Sequence, residues 1–246
     1  MEKAIEMTLS SLNARHIHGV YAENCEEACR HILRLIPQEA IVAIGDSTGV
    51  RQLGVLSPLR ERGIKMLNPF DISMQELTKE METRRQETLR EATLCDVFLT
   101  GTNAVTKDGR LVNVDATGNR VAGMFWGHPI SIVVVGKNKI VKSLDEALQR
   151  IKDIIAPQHF RLRMDLGGRK RKTPCAVTGE CSDCRSSERG CNVFTIIEGK
   201  PTRTALHVVV VNEDLGLGWD PAWPQDRIKK IIEQYKRFVW HPGPPK

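Results

Sequence analysis

The chain has 246 residues, of which 41% are apolar and 27% charged, a composition typical of a folded globular protein. No uninterrupted apolar run reaches the roughly 18 residues that a membrane-spanning helix needs, and the N-terminal stretch carries acidic and polar residues where a signal peptide has its apolar core. These features argue against a membrane protein or a disordered chain and predict a cytoplasmic protein built on one large domain.

The formal net charge is +6, and part of the excess lies in a basic run made of Arg169, Lys170, Arg171 and Lys172. Such a run can bind nucleic acid, an anionic partner protein or a phosphate-bearing ligand, or it can be a solvated loop. Only six Phe and two Tyr occur in the chain, and none interrupts the run, so stacking on nucleic-acid bases is disfavoured.

Apolar residues recur along the chain with the periods of strands and helices. In chain order, the predicted strands are 19–22, 40–44, 65–67, 96–100, 111–115, 130–135 and 206–211. The predicted helices are 2–14, 25–36, 50–59 with a break near Pro58, 74–92, 118–125, 143–155 closed by Pro157, and 228–238. Between two apolar segments, Asp108 and Gly109 predict a β-hairpin.

The alternation of strands and helices predicts an α/β fold with a mostly parallel central sheet flanked by helices. One stretch, 158–203, departs from this pattern, because it is polar and basic, contains glycines and cysteines, and shows little periodicity. We therefore predict a single α/β domain over 1–240 that carries a cysteine-rich insert at 158–203.

Small polar residues follow three of the predicted strands, where ligands bind in open α/β sheets. They are Gly45, Asp46, Ser47 and Thr48 after the second strand, Gly101, Thr102 and Asn103 after the fourth, and Asp115, Gly118, Asn119 and Arg120 after the fifth. A strand followed by such a loop and a helix can cradle an anion on free backbone N–H groups, or it can be an ordinary turn with a Ser or Thr cap. The glycine spacing matches neither a dinucleotide-binding fingerprint nor a P-loop.

Two charged residues of this group, Arg120 and Asp115, are candidates for direct contact with a ligand. Arg120 is expected to pair with a carboxylate or phosphate of the ligand. Asp115 can act as a base or bind a ligand hydroxyl, and it can equally cap the turn at Thr117 and Gly118. The sequence assigns no catalytic step to any residue.

Four cysteines lie close together in the pattern C-x5-C-x2-C-x6-C, namely Cys175, Cys181, Cys184 and Cys191. Clustered cysteines in a cytosolic chain favour metal ligation over disulfides. Only Cys181 and Cys184 form the short knuckle usual in structural zinc sites, whereas iron–sulfur clusters accept more varied spacings. A [4Fe–4S] cluster, a zinc ion and a redox-active loop without metal are the three interpretations.

Several segments also resemble a known family. They are FLTGTNAVTKDGRLVNVDATGNRVAGMFWG, IVVVGKNKIV, VVVVNEDLGLGW and the cysteine segment PCAVTGECSDCRSSERGCN. Together they resemble the lactate-utilisation (LUD) domain family, and the cysteine segment resembles that of a subset from anaerobic bacteria. The resemblance implies a fold similar to sugar-phosphate isomerases and CoA transferases, and a link to L-lactate oxidation within multi-protein iron–sulfur systems.

The resulting expectation is an accessory or electron-transfer component of an L-lactate (2-hydroxy acid) oxidation system. Its expected partners are a small anionic ligand and other iron–sulfur redox subunits. Two alternatives stay open: a non-redox isomerase or acyl-transferase-like enzyme with structural zinc, and a ligand-binding regulatory protein that docks through the basic run.

Overall fold

The computed structural model describes residues 1–71, 78–168 and 172–242, which form ten strands and ten α-helices. The strands are β1 (His18–Ala22), β2 (Ile41–Ile44), β3 (Lys65–Leu67), β4 (Val97–Gly101), β5 (Ala104–Thr106), β6 (Leu111–Asp115), β7 (Ile130–Gly136), β8 (Ile140–Val141), β9 (Val193–Ile197) and β10 (Ala205–Val211). The helices are α1 (Lys3–Ala14), α2 (Cys25–Leu35), α3 (Thr48–Gln52), α4 (Leu56–Glu61), α5 (Lys79–Glu91), α6 (Asn119–Ala122), α7 (Leu144–Arg150), α8 (Ala156–Asp165), α9 (Pro174–Thr178) and α10 (Gln225–Phe238).

Six strands form a central sheet in the order β1-β10-β7-β4-β2-β3, and every neighbouring pair in it is parallel. This confirms the predicted α/β fold with a mostly parallel sheet flanked by helices. The inner strand β10 is an apolar run rich in valine, as expected for a strand that is covered on both faces. Val209 and Val211 pack on one face, towards α2, whereas Val208 and Val210 pack on the other, towards α1.

A second, smaller sheet has the order β8-β5-β6-β9 and was not predicted. Its centre is the predicted hairpin, which is confirmed by the antiparallel pairing of β5 with β6 and by the positive φ of Gly109 (87°) at the turn. Strand β9 pairs antiparallel with β6 and lies inside the stretch expected to be an irregular insert. The cysteine-rich segment is therefore joined to the domain by main-chain hydrogen bonds.

The helix expected to close at Pro157 runs further than predicted. After α7 the chain makes one turn of π-helix, Ile151–Ile155, and continues directly into α8. Pro157 is the second residue of α8 and lies where the backbone changes from the π-helical to the α-helical hydrogen-bond pattern. This extension matters because α8 forms part of the candidate site.

The short helix α9 was not predicted, and other predicted helices differ from the structure at their ends. The helix predicted over 50–59 is broken into α3 and α4, but the break lies between Gln52 and Leu56 and not near Pro58, which lies inside α4. The long charged helix begins at Lys79, and the part predicted over 74–77 lies outside the described residues. In the described part of the chain, no helix combines the length and the apolar character needed to cross a membrane.

Candidate functional site

The main cavity of the molecule lies beyond the carboxyl ends of β2 and β4, which are neighbours in the central sheet, and has a volume of about 290 Å³. The loops after these strands meet there with the hairpin, with α8 and with α10. The structure brings together most of the predicted ligand-binding residues, since the lining includes Asp46, Ser47, Thr48, Gly101, Thr102, Asn103, Asp115, Asn119 and Arg120. Gly45 and Gly118 are adjacent in sequence to this lining but do not belong to it.

Ser47 and Gly101 show how closely the two strand ends approach. The Ser47 hydroxyl accepts a hydrogen bond from the backbone N–H of Val50, which confirms it as the N-cap of α3. A Cβ atom added to Gly101 would lie 2.5 Å from the Ser47 Oγ, so only glycine fits at this point of β4. The contact fixes one wall of the cavity.

Arg120 holds the loops around the cavity together. Its Nη1 donates hydrogen bonds to the Gly101 carbonyl and the Asn113 Oδ1, both at 2.9 Å. Its Nη2 donates to the Asn103 Oδ1 at 3.0 Å and the Val114 carbonyl at 2.8 Å. Because both terminal nitrogens already make two hydrogen bonds, Arg120 has no terminal N–H left for the expected pairing with a ligand, and it contributes its charge instead.

Asp115 has a similar structural role. Its Oδ1 accepts hydrogen bonds from the backbone N–H groups of Thr117 and Gly118, both at 3.1 Å, and its Oδ2 lies 3.5 Å from the Arg120 Nε. The interpretation as a turn cap is thus confirmed. With both oxygens engaged, the carboxylate is poorly placed to act as a base.

Lys139 is the residue that the sequence analysis missed. It ends the 3-10 turn Lys137–Lys139 after β7, lines the cavity, and is only 9% exposed. Its Nζ donates a 2.9 Å hydrogen bond to the Thr102 carbonyl. Burial, with a smaller effect of the Arg120 charge, lowers the pKa of Lys139 to about 7. The available signal was a lysine in the short turn after a buried strand, at the edge where parallel sheets bind ligands, but Lys137 in the same turn shares that signal.

A group of ionisable side chains from α3, α8 and α10 closes another side of the cavity. Asp46 accepts a 2.7 Å hydrogen bond from Arg51. Burial alone would raise the pKa of Asp46, but the charges of Arg51 and Arg163 lower it below its usual value. On α8 and α10, the His159 Nδ1 and the Tyr235 hydroxyl are hydrogen-bonded at 2.5 Å.

Two further cations lie beside an aromatic side chain of the cavity lining, and one of them, Arg85, is ion-paired with Glu82. Arg85 and Arg163 line the cavity and place their guanidinium carbons 5.3 and 5.4 Å from the centre of the Trp240 ring. The two carboxylates of the lining, Asp46 and Asp115, are each paired with an arginine. The cavity therefore has a surplus of positive charge that suits an anionic ligand.

The four clustered cysteines all line a second, smaller cavity of about 20 Å³. Cys175 lies in α9, and Cys181, Cys184 and Cys191 lie in the loop that leads to β9. All seven cysteines of the chain are free thiols. Arg189 shapes the loop by donating to the backbone carbonyls of Cys184 at 2.5 Å and Cys191 at 2.9 Å.

The four thiols surround one space without being drawn together on a single point. Within the described ranges, no three His, Cys, Asp or Glu side chains are grouped as ligands of one metal ion. Four thiolates are a donor set that either an iron–sulfur cluster or a zinc ion can use. Burial, together with the nearby thiols, raises the pKa of Cys191 to about 11 and also raises that of Cys175, so a bound metal would have to displace their protons.

The two cavities share a wall. Ala156, Phe160, Gly190 and Cys191 line both of them. A Cβ atom added to Gly190 would lie 2.3 Å from the Phe160 ring, so the loop and α8 touch with no room for a side chain between them. The position of Cys191 beside the larger cavity could not be foreseen from the spacing of the cysteines.

Comparisons with known proteins agree with this architecture. The model of the LUD domain family matches residues 5–211 of the chain. A crystal structure of a DUF162 family protein from Deinococcus radiodurans is similar over 85% of this chain and 97% of that chain, with a TM-score of 0.50 and 14% sequence identity, which shows a likeness of fold alone. No curated protein matches the chain in sequence.

Proposed function

The chain belongs to the LUD domain family, and from that premise we propose that it is an electron-transfer component of an L-lactate (2-hydroxy acid) oxidation system. One observation carries the proposal: the cavity suited to an anion and the cavity lined by four cysteines share Ala156, Phe160, Gly190 and Cys191. A small acid in the first cavity would lie beside a redox group in the second.

The charge of the larger cavity supports the choice of ligand. Among the described residues, Lys139 is buried there without an ion pair, Arg120 is paired with Asp115, and Arg163 adds a further cation. A 2-hydroxy acid brings a carboxylate for these cations and a hydroxyl group for the polar side chains of Thr48 and Asn103.

The electron balance defines the partners. Oxidation of a 2-hydroxy acid to a 2-oxo acid removes two electrons and two protons, whereas a [4Fe–4S] cluster held by Cys175, Cys181, Cys184 and Cys191 passes electrons singly. Other iron–sulfur redox subunits must therefore exchange the electrons with this chain. The seven free cysteines support a place of action in the cytoplasm, where thiols stay reduced.

The first experiment is metal and sulfide analysis, with a visible spectrum, on protein purified without oxygen. We expect about four irons with matching sulfide per chain and a brown colour that dithionite bleaches. The matched variants are C184S, which should lose the iron, and C95S, which should keep it because the buried Cys95 lies at the start of β4, away from the cysteine loop.

One zinc ion and no colour would contradict the electron-transfer role and support the alternative, a non-redox isomerase or acyl-transferase-like enzyme with a structural metal. Ligand choice is tested separately by thermal shift with L-lactate and pyruvate. If neither raises the melting temperature at high concentration, the proposed substrate class is wrong.

A further inference from the structure

Lys139 is the most unusual side chain of the larger cavity, because the fold makes room for it and leaves it without an acidic partner. A Cβ atom added to Gly216 would lie 2.9 Å from the Lys139 Nζ, and one added to Gly218 would lie 3.5 Å from its Cγ. The loop after β10 thus uses glycines where the lysine side chain passes on its way to the cavity. The close contact with Gly216 and Gly218 restricts the direction of the Lys139 side chain.

The surroundings of the ammonium group are poor in negative charge. Its one hydrogen bond goes to the neutral Thr102 carbonyl, and the structure shows no ion pair to Lys139 among residues 1–71, 78–168 and 172–242. The charge of Arg120 acts on it and repels it. A lysine that is desolvated beside another cation is a recognised way to obtain a neutral, nucleophilic amine near neutral pH.

We propose that Lys139 forms a reversible Schiff base with the carbonyl carbon of a small 2-oxo acid bound in the larger cavity. The choice of a 2-oxo acid rests on the proposed function, since it is the product class of 2-hydroxy acid oxidation. The step itself depends only on the lysine and on the cavity.

The step is balanced and involves no change in oxidation state. The lone pair of Lys139 Nζ attacks the carbonyl carbon, a C–N bond forms, and the carbonyl oxygen takes up a proton to give a carbinolamine. Loss of that oxygen as water leaves the C=N bond. Overall, one amine and one carbonyl compound give one imine and one water.

The remaining requirements of the step are met in the same cavity. The hydrogen-bonded pair of His159 and Tyr235 lines it and can exchange protons with the bound molecule. A protonated imine beside Arg120 would be repelled, and the carboxylate of a 2-oxo acid would offset both charges. An anionic carbonyl compound is therefore favoured over a neutral aldehyde or ketone.

The test is reductive trapping on the full chain, purified without oxygen and incubated with pyruvate or glyoxylate and borohydride. Peptide mapping by mass spectrometry is expected to show one adduct, on Lys139. The variants K139M and K139R should lose it. The matched control K137M should keep it, because Lys137 belongs to the same turn but is hydrogen-bonded to Glu2 and Asn212 away from the cavity.

Melting curves of both Lys139 variants ensure that a lost adduct does not reflect an unfolded chain. If either variant fails to fold, protection provides the second measurement: L-lactate, which has no carbonyl carbon to attack outside its carboxylate, should compete and reduce labelling of the wild-type lysine. Labelling spread over surface lysines to the same extent in wild type and variants, or no adduct at all, would overturn the proposal.

Failure of this inference can be told apart from failure of the proposed function. Trapping on Lys139 in a protein that contains zinc or no metal would keep the Schiff base and reject electron transfer. A full iron–sulfur complement with L-lactate binding but without an adduct on Lys139 would support electron transfer and reject the Schiff base.

Discussion

At the scale of single residues, Arg120 shows how one buried guanidinium group can hold the loops of a cavity together. Four protein oxygens, from Gly101, Asn103, Asn113 and Val114, accept its terminal N–H groups, and Asp115 lies beside its Nε. The hydrogen bonds join the end of β4 and Asn103, which precedes β5, to strand β6. The cavity keeps its shape because these segments share one guanidinium group.

Replacing Arg120 by methionine is therefore expected to damage the fold before it affects ligand recognition. The change leaves several buried acceptors without donors and Asp115 without its counter-charge, which costs about 3–5 kcal/mol of unfolding free energy. Urea denaturation of R120M measures this loss. The control is N119A, on the same short helix and also facing the cavity, which should stay within about 0.5 kcal/mol of wild type. A stable R120M that only loses ligand binding would contradict this role.

The lowered pKa of Lys139 predicts how the free energy of unfolding depends on pH. In the unfolded chain this lysine keeps its proton up to its ordinary pKa of 10.5, whereas in the folded chain it loses the proton near pH 7. Between these values the unfolded state binds one more proton, so the free energy of unfolding rises with pH, by up to about 1.4 kcal/mol per pH unit from this group. Below pH 7 both states are protonated, and the contribution no longer changes.

The comparison of wild type with K139M isolates this effect from other titrating groups. The difference between the two unfolding free energies, measured by urea denaturation from pH 7 to pH 10, is expected to change steadily in favour of wild type. K137M should follow wild type throughout. Parallel curves for wild type and K139M would show that Lys139 is not neutral in the folded protein.

At the scale of elements, the site depends on how closely β4 approaches the turn that starts α3. Gly101 has no space for a side chain, because an added Cβ would lie 2.5 Å from the Ser47 Oγ and 3.3 Å from the Val134 carbonyl. In G101A, either Ser47 gives up its cap of α3 or β4 moves away from β7. Both outcomes deform the cavity wall.

We expect G101A to lose about 1–3 kcal/mol of unfolding free energy, the usual cost of overpacking and of a lost cap. The matched control is G49A in α3, where the nearest atoms to an added Cβ lie 3.7 and 3.8 Å away. Alanine is favoured over glycine within helices, so G49A should be as stable as wild type or more stable. Equal stability of G101A and G49A would show that the strand ends do not need this close contact.

The same scale shows what the sequence can and cannot reveal. Apolar valine runs predict β7 and β10 because a strand covered on both faces needs such a run, and Asp108-Gly109 predicts the hairpin because its turn needs positive φ. Lys139 was missed because its burial depends on Gly216, which is distant in sequence. The continuation of α8 past Pro157 was missed because a π-helical turn precedes it.

At the scale of the whole molecule, α8 connects the two cavities. Its residues Ala156 and Phe160 face both, while His159 and Arg163 face the larger one alone. The cysteine loop packs against the same helix through Gly190. A ligand or metal bound in one cavity can therefore affect the other cavity through α8, without any change in the central sheet.

Metal loading is therefore expected to stabilise the molecule locally rather than evenly. A cluster held by the four cysteines would tie α9 to the cysteine loop, and removal of the iron by a chelator would release them. Hydrogen exchange should then become faster over residues 172–192 and in α8. The amides of β7 and β10 should keep their protection, because their hydrogen bonds lie in the centre of the parallel sheet.

Two cysteine variants make this prediction specific. C184S, whose side chain faces only the small cavity, should exchange like the chelated wild type even before chelation, whereas C95S should exchange like the loaded protein. Faster exchange throughout the central sheet after iron removal would mean that the metal holds the whole fold together. Unchanged exchange over residues 172–192 would mean that the four cysteines do not hold the metal. If they held it, removal of the metal would make the cysteine loop more mobile and its amides would exchange faster.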